Sequence, residues 1–286
     1  MPFAGSVEAF EAVLCAIPLA VGARVLVSSC SPKALWEAMD NLKLEPVVRE
    51  PDLQTLLLDG AVVEADLWPK IDAVVISHLF GRPAPLENVV ASARKFGVFV
   101  VEDALHAHGA EYRGKKVGSF GDAAVFGLEP GRILADEDGG AVVVTSRTAL
   151  AGDLKKAARK FSPAAERRLN ARLDALPDSL AKREALAAVY REKLGGIEGL
   201  RCVLPERQGR HVFYRFVIRY PKAEAIEKAL AAKGIETCRP FFTAAHREPA
   251  PPVAIAAEAD TLFLPIGSAM TAETVATVCE AIRAAI

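Results

Sequence analysis

The chain has 286 residues, of which 51% are hydrophobic and 25% charged, and its 35 basic and 36 acidic side chains leave a net charge of -1. This length predicts one large domain with a smaller one, and the balanced charge gives no indication of a nucleic-acid or membrane-surface partner. Five cysteines at irregular intervals, without a C-x-x-C pair, favour a reducing compartment over a disulfide framework.

The first predicted elements lie within residues 10–27, FEAVLCAIPLAVGARVLV. This stretch is typical of an amphipathic helix that runs into a buried strand, with Gly22 at the joint. A secretory signal is not indicated, because Glu8 and Glu11 interrupt the apolar pattern and neither a basic segment nor a cleavage site flanks it. No run reaches the roughly 18 apolar residues of a membrane span, so we expect a cytoplasmic protein without membrane contact.

Six short, β-branched runs alternate with helix-like stretches between residues 23 and 145: ARVLVS, EPVVRE, DAVVISH, VFVVED, AAVFGL and AVVVTS. Such runs are typical of strands that are buried on both faces. The clearest helix is PLENVVASARKFG, which Pro85 can begin and Gly97 can end. This alternation predicts an α/β fold with a mostly parallel sheet, whose ligands gather at the carboxyl ends of the strands.

The composition changes to Lys, Arg and Ala over residues 152–178, which we interpret as the connection between two domains, with its basic run on a solvated helix face. Further elements follow: a helix from about Leu180 to Leu194, a strand HVFYRFVIRY, a helix KAEAIEKALAAKG and a final helix from Thr271 to Ala285. This order predicts a smaller α+β C-terminal domain.

Asp103 ends the predicted strand VFVVED, and His106 and His108 follow it closely. A carboxylate at a strand end can meet a ligand, cap a helix or form a structural ion pair. A metal site is not expected, because the two histidines are two residues apart and no cysteine lies near. His78, at another strand end, is interpreted as a satisfied core or interface histidine. The glycine-rich segment that follows fits neither dinucleotide-binding nor P-loop spacing.

The segment from ISHLFGRPAP through EDALHAHGA and FGLEPGRILADEDGG to AVVVTS resembles the DegT/DnrJ/EryC1/StrS family of sugar-nucleotide aminotransferases, fold type I enzymes that use pyridoxal phosphate. GIETCRPFFTAAHREPAPP and LFLPIGSAMTAETVATVCEAI are similar to the carboxyl domain of the perosamine-synthase branch. The resemblance implies a fold type I-like large α/β domain over residues 1–160, with a truncated amino terminus, and a small α+β C-terminal domain over residues 161–286.

The resemblance also assigns roles around the cofactor. Asp103 falls on the aspartate that pairs with the pyridine nitrogen, and His106 falls on a glutamine near the phenolic oxygen. Gly127 falls on a serine that holds the phosphate, and it has no side chain to do so. Arg132 falls on the lysine that forms the Schiff base. A guanidinium with a pKa above about 12 cannot supply a neutral amine, so Arg132 is expected to be inactive in this role.

Further positions depart from the family pattern. The phosphate-binding turn aligns with GSVEA, which places Ser6 and Val7 where glycine and threonine belong and adds the carboxylate of Glu8. The aromatic side chain that stacks on the cofactor aligns near Cys30 and Pro32. The loop between the domains, through which a partner subunit contacts the phosphate, is replaced by the basic helix.

We therefore expect Arg132 to fill the cofactor site, paired with Asp103, because a buried unpaired carboxylate is costly. Four lysines that could substitute for the missing amine are expected to face solvent: Lys115, Lys116, Lys155 and Lys156. By family analogy, three side chains would lie near the substrate: Arg239, His246 and His211.

Three hypotheses for the function follow. The first is a non-transaminating homologue without a cofactor, which binds a nucleotide sugar or a partner subunit, as a homodimer or a hetero-oligomer with an active paralogue. The second is a sugar-nucleotide aminotransferase that depends on pyridoxal phosphate. The third is an enzyme that reuses the pocket without this cofactor, with Asp103, His106, His108 and Arg132 as an acid-base and anion-binding set.

Overall fold

A seven-stranded sheet forms the centre of the protein in a computed structural model that describes residues 1–60, 63–204 and 208–286. Its strands are β1 (Pro2–Phe3), β2 (Arg24–Ser28), β3 (Glu45–Arg49), β4 (Ala73–Ser77), β5 (Phe99–Asp103), β8 (Ala123–Gly127) and β9 (Ala141–Val144). They are arranged in the order β1-β9-β8-β5-β4-β2-β3. The neighbours from β3 to β8 run parallel, whereas β9 and β1 join antiparallel at one edge.

The central strands bury both of their faces, as the continuous apolar runs predict. In β4, Val74 and Ile76 belong to one hydrophobic cluster and Ala73 and Val75 to another. Successive side chains of a strand point to opposite faces, so the two clusters lie on the two sides of the sheet. All six strands expected between residues 23 and 145 are present, and the prediction of a mostly parallel sheet is confirmed.

Nine α-helices lie within the described residues: α1 (Ser6–Ala16), α2 (Lys33–Asn41), α3 (Leu86–Phe96), α4 (Thr148–Ala157), α5 (Pro163–Asp174), α6 (Leu176–Leu194), α7 (Ala223–Ala231), α8 (Pro252–Asp260) and α9 (Ala272–Ala285). Helix α3 begins after Pro85 and ends at Gly97, whose φ of +71° suits a residue without a Cβ. Both ends agree with the prediction. The basic segment forms parts of three helices, the end of α4, the whole of α5 and the start of α6, in place of a single connection. None of the described helices is long and apolar enough to cross a membrane.

The carboxyl-terminal part contains a second sheet, in the order β10 (Arg201–Cys202), β12 (Phe216–Arg219) and β13 (Thr261–Leu264). Its core is formed with helices α6, α7 and α9. A third small sheet joins β11 (Gly209–Arg210) to β6 (Glu111–Tyr112) and β7 (Lys115–Lys116).

The long strand expected at HVFYRFVIRY is wrong in extent, because only its second half forms β12. The first half lies outside the second sheet and contacts the turn that follows β4: the backbone N–H of Val212 donates to the carbonyl of Gly81. Val217 and Phe242 also belong to a cluster of the large sheet. The two parts thus share a core, and the expected boundary between residues 160 and 161 stays a prediction.

Candidate active site

Asp103 lies at the carboxyl end of β5, where the sheet topology collects ligand-binding groups. Its carboxylate is buried, accepts a hydrogen bond from the backbone N–H of Leu105 at 3.2 Å and contacts Ser77 of the neighbouring strand. Among the described residues it forms no ion pair and caps no helix, so neither of the two structural interpretations applies. Burial raises the pKa of Asp103, and the nearby groups, Arg132 among them, oppose that rise only in part.

Arg132 lies in the loop between β8 and β9, and its partner differs from the expected one. Its Nε donates to Oε2 of Glu129 at 3.3 Å, and its backbone N–H donates to the Glu129 carbonyl at 3.1 Å. This turn brings the two charges together within the same loop, so the expectation of an Arg132–Asp103 ion pair is wrong. The spacing of an acid three residues before a base was the signal in the sequence that could have found Glu129.

Glu129 also reaches the amino terminus of α1. Its Oε1 accepts hydrogen bonds from the backbone N–H of Ser6, at 2.8 Å, and from the Ser6 hydroxyl. The residue before the helix, Gly5, has no side chain with which to cap it. Glu8, which was expected to place a carboxylate here, is exposed and lies 3.6 Å from Arg159. The carboxylate at the helix start is therefore supplied by Glu129.

Gly127 is surrounded by the same pair of charges. A Cβ at this position would lie 2.7 Å from Oε2 of Glu129 and 3.1 Å from Nε of Arg132. A serine at position 127 would therefore require the end of the Glu129 side chain to move. Residues 127 and 132, where departures from the family pattern are expected, are connected through Glu129, and the sequence alone did not indicate this connection.

His106 stacks on Tyr214, with ring centroids 4.3 Å apart and planes inclined by 7°. The guanidinium of Arg132 lies 5.7 Å from the centroid of the same Tyr214 ring. Burial, followed by the charges of Arg132 and of nearby groups, holds the pKa of His106 well below its ordinary value. His106 and Arg132 are thus brought together around Tyr214, a residue of the carboxyl-terminal part that the sequence did not indicate.

His108 is buried beside Phe126, with ring centroids 5.5 Å apart. Within the described part of the chain, neither ring nitrogen has a hydrogen bond of normal geometry. Burial, and next the charge of Arg132, lower its pKa to about 4, although the nearby Gly127 carbonyl opposes the change. Both histidines of the predicted acid-base set are therefore neutral near pH 7.

The residues with an expected substrate role lie in other surroundings. Arg239 donates to the Glu258 carbonyl at 2.7 Å, and the His246 ring lies 3.0 Å from the Glu258 carboxylate. His211 is buried, accepts a hydrogen bond from the backbone N–H of Phe213, and has its pKa lowered to about 3, chiefly by burial. Their role toward a substrate stays a prediction.

A cavity of about 510 Å³ opens beside Arg132 and is also lined by Arg172 and Lys182. Lys182, whose Nζ donates to the carbonyl of Ser268, is not among the four lysines expected to face solvent. Those four, Lys115, Lys116, Lys155 and Lys156, are exposed, as expected. Among the residues that the structure describes, no three histidine, cysteine or acidic side chains are grouped as ligands for a metal ion.

His78 and Glu102 form a buried pair beneath this site. The Nε2 of His78 lies 3.1 Å from Oε2 of Glu102, and its Nδ1 accepts the backbone N–H of Ala84. This confirms His78 as a satisfied core histidine. Glu102 accepts three further bonds, from the backbone N–H groups of residues 118, 120 and 121, and so fixes the segment that leads into β8.

Known proteins resemble this chain over nearly its whole length. The erythromycin biosynthesis sensory transduction protein EryC1 of Saccharopolyspora erythraea is 31% identical over 295 residues, covering 93% of this chain and 80% of that protein. GDP-perosamine synthase of Caulobacter vibrioides is 30% identical over 266 residues, covering 84% and 71%. The crystal structure of S. venezuelae DesV in complex with a ketimine intermediate matches with a TM-score of 0.91 at 28% identity, covering 99% and 84%.

These matches confirm the expected fold type I architecture and the similarity to perosamine synthase. They favour the alternative expectation of pyridoxal phosphate chemistry over the expectation that no cofactor is used. The model of the DegT/DnrJ/EryC1/StrS aminotransferase family matches residues 3–167 and 167–283. The chain therefore belongs to the DegT/DnrJ/EryC1/StrS aminotransferase family.

Proposed function

We propose that this chain is a member of the family that forms no Schiff base and instead binds a nucleotide sugar. The observation that carries the proposal is Arg132 at the position of the reactive lysine, held by Glu129 at 3.3 Å. A guanidinium is delocalised and protonated at all physiological pH values, so it cannot act as the nucleophilic amine.

The residues around this position fit pyridoxal phosphate at one point only. Asp103 is buried at a strand end, where a carboxylate suits a protonated pyridine nitrogen. The carboxylate of Glu129 lies where the helix start would receive a phosphate, and Gly127 offers no hydroxyl. Since the donors for the phosphate are already bonded and the amine is missing, the site as a whole does not fit the cofactor.

A nucleotide sugar remains compatible with the site. Arg172 and Lys182 line the same cavity of about 510 Å³ as Arg132, and the carboxylate of Asp178 is also in its lining. The charge of Arg132 is paired with Glu129, so Arg172 and Lys182 supply the surplus of positive charge. Guanidinium groups bind phosphate oxygens in pairs, and this surplus suits a diphosphate. The family resemblance implies an active site between two subunits, so a homodimer or a hetero-oligomer with an active paralogue belongs to the same proposal.

The second candidate is a sugar aminotransferase that depends on pyridoxal phosphate, and the matched relatives favour it. In this case another amine has to replace the missing one. Lys182 is a candidate, because it lines the same cavity as Arg132. An acid-base enzyme without the cofactor is less supported, since the lowered pKa values of His106 and His108 make both poor proton acceptors near pH 7.

The two candidates differ in covalent chemistry. The purified protein is incubated with pyridoxal phosphate, dialysed, and reduced with borohydride before intact mass is measured. We expect no absorbance band of an aldimine and no mass increase, with an active family aminotransferase as the positive control. A reducible adduct that survives dialysis contradicts the proposal, and peptide mapping of the adduct then tests Lys182 directly.

Binding of a nucleotide sugar is tested separately by thermal shift. We expect a nucleoside diphosphate sugar to raise the melting temperature of the wild-type protein, and Arg172→Ala to reduce this rise because a charge of the cavity is lost. Arg159→Ala, which removes an exposed arginine elsewhere, is the control and retains the full rise. Equal stabilisation of Arg172→Ala and the wild type would place the ligand outside this cavity.

A further inference from the structure

The start of α1 has the properties of an anion-binding position. The first N–H groups of a helix have no partner within the helix and carry a partial positive charge, and helix starts bind phosphate and carboxylate for this reason. Helix α1 is 11 residues long, and no side chain of its cap residue bonds to it. A cavity of about 460 Å³, lined by Gly5, Ser6, Glu129 and Arg132 among others, lies at this end.

The chain itself supplies an anion to this position. Ser6 donates through both its backbone N–H and its hydroxyl to Oε1 of Glu129. The other oxygen, Oε2, accepts from Nε of Arg132 and lies 2.7 Å from the place where a Cβ of residue 127 would be. Both carboxylate oxygens are thus engaged, one by the helix and one by the guanidinium.

We infer that Glu129 is a built-in anion that takes the place of a bound phosphate at α1 and thereby excludes phosphate groups from the start of this helix. A second anion at the same donors would have to displace a carboxylate that is hydrogen-bonded on both sides, and would be repelled by it. The inference deepens the proposed function, on which it rests, because it identifies what prevents a phosphorylated cofactor from binding. Arg132 then acts as the counterion of Glu129.

Glu129→Ala tests this inference with inorganic phosphate as the probe. Loss of the cap is expected to lower the melting temperature by about 2–4 °C. Addition of phosphate is expected to restore most of this loss, because the Ser6 donors and Arg132 become available to the added anion. The wild-type protein is expected to show no comparable stabilisation by phosphate at equal ionic strength.

Glu8→Ala is the matched control, because it removes a carboxylate that lines the same cavity but bonds to none of these donors. It should gain much less stabilisation from phosphate than Glu129→Ala. Glu129→Gln keeps an acceptor for Ser6 and removes the charge. It provides a second test of the inference if the alanine variant does not fold. It should gain an intermediate stabilisation.

Two outcomes would overturn the inference: phosphate stabilises the wild type as strongly as the variants, or it stabilises none of them. Neither outcome depends on Schiff-base formation. The reduction experiment with the wild-type protein therefore fails or succeeds independently, and an adduct on a lysine would contradict the proposed function without deciding the role of Glu129.

Discussion

Replacing Glu102 with glutamine is expected to lower the free energy of unfolding by about 3–5 kcal/mol, the cost of breaking a buried charged network. The Oε1 atom of Glu102 accepts the N–H groups of Phe120 and Gly121, and Oε2 accepts Gly118 and His78. Whichever oxygen becomes the amide nitrogen of glutamine, it faces two donors and accepts from neither. Glutamine has nearly the same size and shape as glutamate. The decrease in the free energy of unfolding therefore measures the lost hydrogen bonds and the lost charge, and not a change in packing.

The effect of this substitution is expected to depend on pH. Burial alone would raise the pKa of Glu102, but the hydrogen bond and charge of His78, together with the backbone donors, hold it below its ordinary value. A carboxyl group with a lowered pKa stabilises the folded protein above the pKa of the unfolded chain, about 4.3, and this contribution disappears as the pH falls. The difference between wild type and variant should therefore be largest near pH 7 and shrink in acid.

Urea unfolding at pH 7 and at steps down to pH 3 measures both effects, because the contribution of Glu102 is lost only below the pKa of the unfolded chain. The control is Glu87→Gln, which removes an exposed carboxylate that pairs with Arg113 at 2.6 Å and should cost less than about 1 kcal/mol. A cost below 1 kcal/mol for the Glu102 variant at pH 7 would mean that the carboxylate does not hold the loop before β8.

The second large expected effect is a loss of folding stability in acid that is caused by His108. Its pKa of about 4 in the folded protein lies below the ordinary 6.5, so the unfolded chain binds a proton more readily than the folded one. This group stabilises the fold above pH 6.5, and the contribution is lost as the pH falls toward 4. At 1.36 kcal/mol per pH unit, the loss is about 3 kcal/mol.

His108→Phe should remove this part of the acid sensitivity. The surroundings of His108, which include Phe126, Leu128 and Leu134, are apolar and accommodate an uncharged ring. We expect the variant and the wild type to differ by no more than about 1 kcal/mol at pH 8, and the variant to be more stable at pH 4.5. His246→Phe, which alters a surface histidine, is the control.

The measurement is the free energy of unfolding at half-unit steps from pH 8 to pH 4. Protonation of other buried groups, including His211 with a pKa of about 3, also destabilises the folded protein in acid. Only the difference between the unfolding free energies of the wild type and the variant therefore measures the contribution of His108. Parallel curves for the wild type and His108→Phe would contradict the prediction.

Much of the seven-stranded sheet and its helices follows from local patterns in the sequence. The β-branched runs predicted the strands because a buried parallel strand needs apolar residues on both faces, and Pro85 and Gly97 predicted both ends of α3 through their backbone preferences. The position of Asp103 at a strand end was predicted from the apolar run VFVVED, which it ends. These features depend on neighbours in the chain.

The chemistry of the site depends on contacts that no local pattern contains. Ser6 and Glu129 are 123 residues apart in the chain, and Tyr214 reaches His106 from the carboxyl-terminal part. Side-chain type alone made Asp103 the expected partner of Arg132, yet the turn between residues 129 and 132 places Glu129 closer. The sequence by itself determined the strands and the helix ends, because these are properties of single residues and short runs. Only the tertiary structure decided which carboxylate meets the helix start and the guanidinium, because hydrogen bonds form between whatever groups the folded chain brings within reach.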